Sequence, residues 1–402
     1  MDKNAFYIPR AAEQLLKESI AEYPACLITG PRQAGKSTLM KQILRGYTYV
    51  TLDDLDVRDL ALNDPKRFLQ TYPTPVVIDE IQYAPNLLSY IKIAIDEDRG
   101  RMGQFVLTGS QTFQVMDGVS ESLAGRVDIF DLYPLTWREL LDDHRVQNPK
   151  THFQSMIEIL FKGFYPELHV FEKSHVSRWF RGYIKTYLER DVRDIKAIPD
   201  LSRFQKFIRL LAPRAGQLLN LSEVAKEAGI ASSTAKDWLS ILESTYIIYL
   251  LKPFHNNTTK RLVKSPKLYF YDTGLLCYML GIESTDQLQK SPFCPSIFEN
   301  MVIIEVIKGL EYTLSAKKAY YFRTTNDLEI DLVIAGVHIE KAIEIKYTMS
   351  PNRRMAGNLN HFKKAYPDAS VILASLATDF PGLPQCQDVH CLHWLDLIIA
   401  DL

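Results

Sequence analysis

The residues Gly30-Pro31-Arg32-Gln33-Ala34-Gly35-Lys36-Ser37 read GxxxxGKS and follow an apolar run, a spacing suited to holding phosphate groups. Glycines let the backbone curl so that successive N–H groups point inward, and the Lys36 ammonium can reach two phosphate oxygens. The Ser37 hydroxyl suits Mg²⁺, and Thr38 continues the contact run into a helix. Downstream, Pro75-Val76-Val77-Ile78-Asp79-Glu80 ends an apolar run in two carboxylates. In that place Asp79 is expected to hold Mg²⁺ through its water shell, and Glu80 to orient and deprotonate an attacking water. The run Gln104 to Thr108 leads into Gly109-Ser110-Gln111, where Ser110 is placed to report on a γ-phosphate. Ala124-Gly125-Arg126 adds a cation that fits two roles: a group donated by a neighbouring subunit during phosphoryl transfer, or a surface salt bridge. The chemistry predicted is binding and hydrolysis of ATP with Mg²⁺.

A second constellation lies near the other end of the chain. Asp331 and the pair Glu344 and Lys346 give D-x12-E-x-K, with Glu299 on a preceding helix. The three carboxylates could bind one or two divalent metals while the lysine stabilises a phosphoryl transition state or positions water. The competing reading is edge-strand carboxylates paired with that lysine. Charges entering otherwise apolar strands need a partner or a task.

These groups require particular elements beneath them. Short apolar runs at Ala25 to Thr29, Tyr47 to Leu52, Val76 to Ile78 and Phe105 to Thr108 alternate with helix-length stretches, predicting an α/β domain over residues 1–150 with a parallel sheet. Residues 151–270 turn to helical periodicity, as in Phe204, Phe207, Ile208 and Leu211. Residues 271–402 return to strands, expected at Ala319 to Phe322, Ile330 to Ile334, Ala342 to Tyr347 and Val371 to Ala374, with helices at Phe298 to Gly309 and Asn352 to Tyr366.

Within the middle domain, Leu221 to Ile230 and Ser232 to Leu239 read as two helices around a glycine turn, a helix-turn-helix pattern. Residues 252–267 hold five cations and no acid, a natural wing for touching phosphates. Counted by segment, residues 1–150 carry 17 basic and 21 acidic groups, residues 151–290 carry 20 and 14, and residues 291–402 carry 10 and 13. The middle is thus at +6 although the whole chain is at −1. DNA is the partner this asymmetry suggests, with a protein-docking module or an ordinary solvated face as the alternatives.

Five cysteines, an odd number without a CxxC pair, indicate neither a disulfide framework nor a zinc ribbon. No basic leader precedes an apolar stretch, and no run of about 18 apolar residues occurs, so export and membrane spanning are not expected. A cytoplasmic location is expected.

The segments GPRQAGKST, VVIDEI, VLTGSQ, LAGRV and PLTWREL, then TYLERDV, LLAPRAGQLLNLSEVA, STAKDWL, KSPKLYFYDTGLL and EIDLVI…AIEIKY, together resemble a prokaryotic family of AAA-type ATPases (AAA_14) with a C-terminal DUF4143 region. The resemblance implies an α/β fold in three parts: a P-loop AAA-type ATPase domain, a helical and winged-helix domain, and an α/β PD-(D/E)XK nuclease-like domain. It further implies that Arg126 is a trans-acting or sensing residue, that Glu299, Asp331, Glu344 and Lys346 match the nuclease-like set, and that the chain forms a homo-oligomer. Two functions follow as expectations: an ATP-driven, DNA-associated enzyme with a metal-dependent nuclease site, or a nucleotide-switched regulatory or scaffold protein whose nuclease-like fold is a binding module.

Overall fold

The computed structural model describes residues 7–109, 122–171, 175–188, 201–254, 265–324, 328–380 and 389–400. By its internal contacts the chain forms two compact units. The first holds Met1–Leu135 with two later pieces, Tyr165–Val170 and Ser244–Tyr246, and the second holds the remainder.

In the first unit, helix α1 (Ala12–Glu22) leads into β1 (Ala25–Thr29), followed by α2 (Lys36–Ile43), β2 (Thr48–Thr51), α3 (Leu55–Asn63), α4 (Pro65–Thr71), β3 (Val76–Asp79), α5 (Leu87–Glu97), β4 (Phe105–Thr108) and β5 (Val127–Asp131). The sheet order is β2-β3-β4-β1-β5, and every pairing is parallel. The central strands β1, β3 and β4 are buried along their whole length, as expected where helices cover both faces. Parallel pairing brings all the carboxyl ends to one edge, so Thr29, Asp79, Thr108 and Asp131 line it together. Ligands of open α/β sheets bind at such an edge.

The second unit contains helices Phe153–Lys162, Val176–Tyr183, Leu201–Leu211, Leu221–Ala228 and Ser232–Ser244, then the antiparallel pair β6 (Ile248–Leu251) and β7 (Lys267–Phe270). Leu221–Ala228 is capped by Asn220 and stopped by Gly229 in the left-handed region, φ 72°. Ala235, Leu239 and Leu242 are buried on the next helix as the periodicity predicts, and Trp238 from that helix packs edge-on against Phe204 and Phe207 at 5.3 and 5.6 Å.

The same unit ends in a five-stranded sheet ordered β12-β11-β10-β9-β8. Its strands are β8 (Lys318–Arg323), β9 (Glu329–Ala335), β10 (Ile339–Lys346), β11 (Ser370–Ser375) and β12 (Val389–His393). The pairings β8–β9 and β9–β10 are antiparallel, while β10–β11 and β11–β12 are parallel. A 19-residue helix, Cys294–Tyr312, precedes the sheet, and Gly357–Ala365 crosses over between β10 and β11. Cys26, Cys277 and Cys294 are buried free thiols. Among the described residues no helix is long and apolar enough to cross a membrane.

Candidate functional sites: a phosphate loop and a carboxylate cluster

The glycine spacing of residues 30–37 has a visible cause. Gly30 sits at φ 131°, and a Cβ there would lie 2.2 Å from the Leu132 carbonyl oxygen, so no larger residue fits between the loop and the exit of β5. Gly35 opens α2 at φ 99°. Gln33 also takes a positive φ, 64°, although it has a side chain, a local cost tolerated at sites where the backbone is shaped for a ligand. Lys36, almost fully buried, donates to the Gly30 and Pro31 carbonyl oxygens at 2.8 and 2.9 Å, which places its ammonium inside the curl of the loop.

Across the strand edge, Asp79 accepts from three hydroxyls: Ser37 at 2.8 Å, Tyr49, and Thr108. Burial, followed by the bond to Asp79, pushes the Tyr49 phenol well above its ordinary pKa, so it stays a donor. Thr108 also accepts the Glu80 N–H at 3.0 Å, linking the two acidic residues through one hydroxyl. Glu80 itself stands at φ 63° with Gln82 donating to its carboxylate. The hard oxygen pair of Ser37 and Asp79 fits Mg²⁺, which takes one or two protein oxygens and completes its shell with phosphate and water.

Several parts of this site carry no motif. Arg10, nearly buried, donates to the Ala34 carbonyl at 2.7 Å and the Tyr133 carbonyl at 2.6 Å, bracing the loop from behind. Asp131 receives Thr29, Tyr133 at 3.2 Å and Tyr246 at 2.5 Å. A polar residue at the end of a buried strand was the available signal for Thr108. Nothing local marks Arg10 or Tyr246. Ser110 lies outside the described residues. Arg126 makes a two-pronged pair with Asp96 at 2.8 and 3.0 Å and donates to the Ala124 carbonyl at 3.1 Å.

The C-terminal cluster also assembles. Asp331 on β9 and Glu344 on β10 are buried, Lys346 donates to Glu344 at 2.9 Å and to Asp331 at 3.3 Å, and the Ile345 N–H donates to Asp331 at 2.9 Å. Glu299, half-buried, accepts the Tyr269 hydroxyl at 2.9 Å. A second lysine joins them: Lys267 of β7, only 3% exposed, lies 2.5 Å from Glu329 and 4.0 Å from Asp331. Lys267 is thus not part of the cationic wing that the sequence predicts over residues 252–267, because β7 is a core strand and turns this side chain toward the carboxylates. Among the described residues no three His, Cys, Asp or Glu side chains are arranged to hold a metal ion.

Burial, then the facing charge of Asp331, raises the Glu344 carboxyl to about 9. For Asp331 burial acts upward, but the Glu344 hydrogen bond together with Lys346, Lys267 and the Ile345 N–H outweighs it and lowers the value. Glu344 therefore carries the proton of the pair at neutral pH. Its folded pKa lies above the ordinary 4.5, so its contribution to stability is complete below that pH and is lost as pH rises through about 9. Glu344→Gln, which fixes the neutral form, is expected to flatten the fall in melting temperature between about pH 5 and 9. An unchanged slope in the variant would place the proton elsewhere.

A phosphate loop after β1 of a parallel sheet ordered β2-β3-β4-β1-β5, with an acidic pair at the end of β3 and β4 inserted between the two strands, defines an AAA-type P-loop ATPase. Family models match three stretches: an AAA domain over residues 22–141, Domain of unknown function (DUF8612) over residues 153–286, and Domain of unknown function (DUF4143) over residues 296–391. Two mycobacterial proteins, Rv2008c of Mycobacterium tuberculosis and Mb2031c of Mycobacterium bovis, both described as uncharacterized, are each 30% identical over 376 residues, 93% of this chain and 80% of theirs. Among solved structures, the Walker-type ATPase paby2304 of Pyrococcus abyssi is similar at 16% identity and a TM-score of 0.47, over 68% of this chain and 96% of that one. The chain belongs to the family of AAA-type ATPases that carry a C-terminal DUF4143 region.

Proposed function

We propose that this chain is a cytoplasmic, homo-oligomeric ATPase that acts on DNA. The observation that carries the ATPase half is the hydrogen-bonded chain Ser37–Asp79–Thr108–Glu80 at the carboxyl edge of the sheet, beside the ammonium of Lys36. Loop N–H groups and Lys36 hold the phosphates of ATP. Ser37 and Asp79 hold Mg²⁺, which when bound neutralises charge on the phosphate oxygens. Glu80 accepts a proton from the attacking water, while Thr108, bonded to both acidic residues, keeps Glu80 in register with Asp79. Arg126 serves the transferring phosphoryl group of a neighbouring subunit once its pair with Asp96 opens. The helix-turn-helix followed by the β6–β7 pair supports a winged-helix reading, and the order helix, three strands, helix, strand supports a nuclease-like fold for the C-terminal sheet.

The DNA half is supported by a basic face on other helices. Val176–Tyr183 with its continuation Ile184–Leu188 holds Arg178, Arg181 and Lys185, and Leu201–Leu211 holds Arg203, Lys206 and Arg209; neither stretch has an acidic residue. The helix Ser232–Ser244, by contrast, has one cation and two acids. Arg181, Lys185 and Arg209 edge a cavity of about 240 Å³ floored by Ile184, Ile208 and Tyr278, and among the described residues no carboxylate lines it. Such a groove suits phosphodiester oxygens.

Changing Arg181, Lys185 and Arg209 together to alanine is expected to lower the slope of log affinity against log salt by about 2 to 3 for labelled duplex DNA, each lost phosphate contact removing about 0.9. Stimulation of ATP turnover by DNA should fall in parallel while turnover without DNA stays at the wild-type rate. Fluorescence anisotropy across a salt series reads the slope. Wild-type slope and stimulation in the triple variant would remove this face from the DNA-binding assignment.

A further inference from the structure

The family resemblance implies a divalent metal at the C-terminal carboxylates, and the residues present do not fit one. We infer that Lys267 is the built-in counter-ion of that cluster, standing in the place a divalent cation would take, so that this domain holds its carboxylates together without metal.

The geometry is local and complete. Every residue of β7 is buried, so the Lys267 side chain has no open path along which to carry its ammonium to water. Its Nζ lies 2.5 Å from Glu329 Oε1, 4.0 Å from Asp331 Oδ1, and 5.7 Å from the centre of the Tyr321 ring. On the other side of Asp331, Lys346 lies between Asp331 and Glu344. Arg323 reaches the second oxygen of Glu329 at 3.2 Å, and Tyr269 occupies Glu299. Each carboxyl group thus already has a donor from this chain. Three cations face four carboxyl groups, leaving at most one negative charge uncompensated, so the charge that would draw Mg²⁺ or Mn²⁺ is already met by ammonium and guanidinium groups, whereas the donors on Asp79 are uncharged hydroxyls. An ammonium buried without partners costs several kcal/mol, so this placement is stable only because the carboxylates surround it.

The inference predicts that a metal response is created by removing the lysine. The full-length protein, free of nucleotide, is melted in EDTA and in MnCl₂ as wild type, Lys267→Met and Lys267→Arg, each with and without Asp331→Asn. Manganese taken up at the ATPase edge is the same with or without Asp331→Asn and drops out of the comparison. Wild type and Lys267→Arg should show no manganese shift that depends on Asp331. Lys267→Met should melt lower in EDTA and recover by roughly 2–4 °C in manganese, a recovery that Asp331→Asn removes. A manganese shift in wild type that Asp331→Asn abolishes overturns the inference, as does Lys267→Met melting like wild type with no response. Should Lys267→Met not fold, isothermal titration of manganese into wild type and Asp331→Asn still decides, since equal heats are required.

Discussion

Glu80→Gln is expected to cut ATP turnover by about 10²–10⁴-fold, the range for loss of a positioned general base, while nucleotide binding stays near wild type. The reason for the split lies in where Glu80 stands. Its backbone, not its carboxylate, is tied to Thr108 and so to Asp79, and glutamine keeps that tie. Lys36→Ala should behave differently. It removes the ammonium from the curl of the loop, and a charged hydrogen bond to phosphate contributes about 1.5–3 kcal/mol, so affinity itself should drop about 10- to 100-fold. Phosphate release and binding of a fluorescent ATP analogue separate the two. Turnover surviving in Glu80→Gln would take the base role away from this residue, and equal affinity in Lys36→Ala would take phosphate contact away from Lys36.

Lys308→Met is the substitution expected to damage stability most. Lys308 is fully buried on Cys294–Tyr312, donates to Glu305 at 2.9 Å and lies 4.6 Å over the Phe164 ring. Glu305 takes the Trp137 N–H at 2.7 Å on its other oxygen, and Asp272, also fully enclosed, accepts from the Phe164 and Leu275 amides at 2.6 and 2.8 Å within the field of the same lysine. Burial already raises both carboxyl groups, Asp272 to about 6. Without Lys308 two buried negative charges lose their counter-ion, which costs about 3–5 kcal/mol. The melting temperature should fall by roughly 10 °C. Because the folded pKa values are raised, the loss should be smallest in acid and grow as pH rises past about 6. Pairing the change with Glu305→Leu should recover part of the loss, since it removes one of the two uncompensated charges while Asp272 keeps its own and the Trp137 N–H loses its acceptor. A double variant no more stable than the single would show that packing, and not charge, is what Lys308 provides.

What sequence could reveal depended on how local the cause was. The loop of residues 30–37 and the pair Asp79 and Glu80 are set by neighbours a few positions away, so spacing was enough. The strands carrying Asp331 and Glu344 were legible because each acidic residue is flanked by apolar ones within a short run, Ile330 and Leu332 to Ala335 on one and Ala342, Ile343 and Ile345 on the other. Strand β5 was not: it lies at the sheet edge, is mostly half-buried and carries Asp128 and Asp131, so it shows no apolar run. Lys267 was misread for a related reason. Among Lys252, Lys260, Arg261 and Lys264 it looks like one more surface cation, and only the pairing of β7 with β6 turns it inward. Arg10 and Tyr246 act across 123 and 115 residues of chain, on Tyr133 and Asp131. No periodicity reports such distances.

Tyr246 bears on how the protein is made. It is buried in the left-handed region, φ 57°, with its hydroxyl on Asp131 and its ring against Tyr133, although it is separated from that part of the chain by the helices of the second unit. A ribosome adding about 5–20 residues per second needs roughly 6–23 seconds to travel from Asp131 to Tyr246. Through that interval the nascent ATPase core lacks one of its own buried side chains, and a fragment cut after Leu135 lacks it permanently.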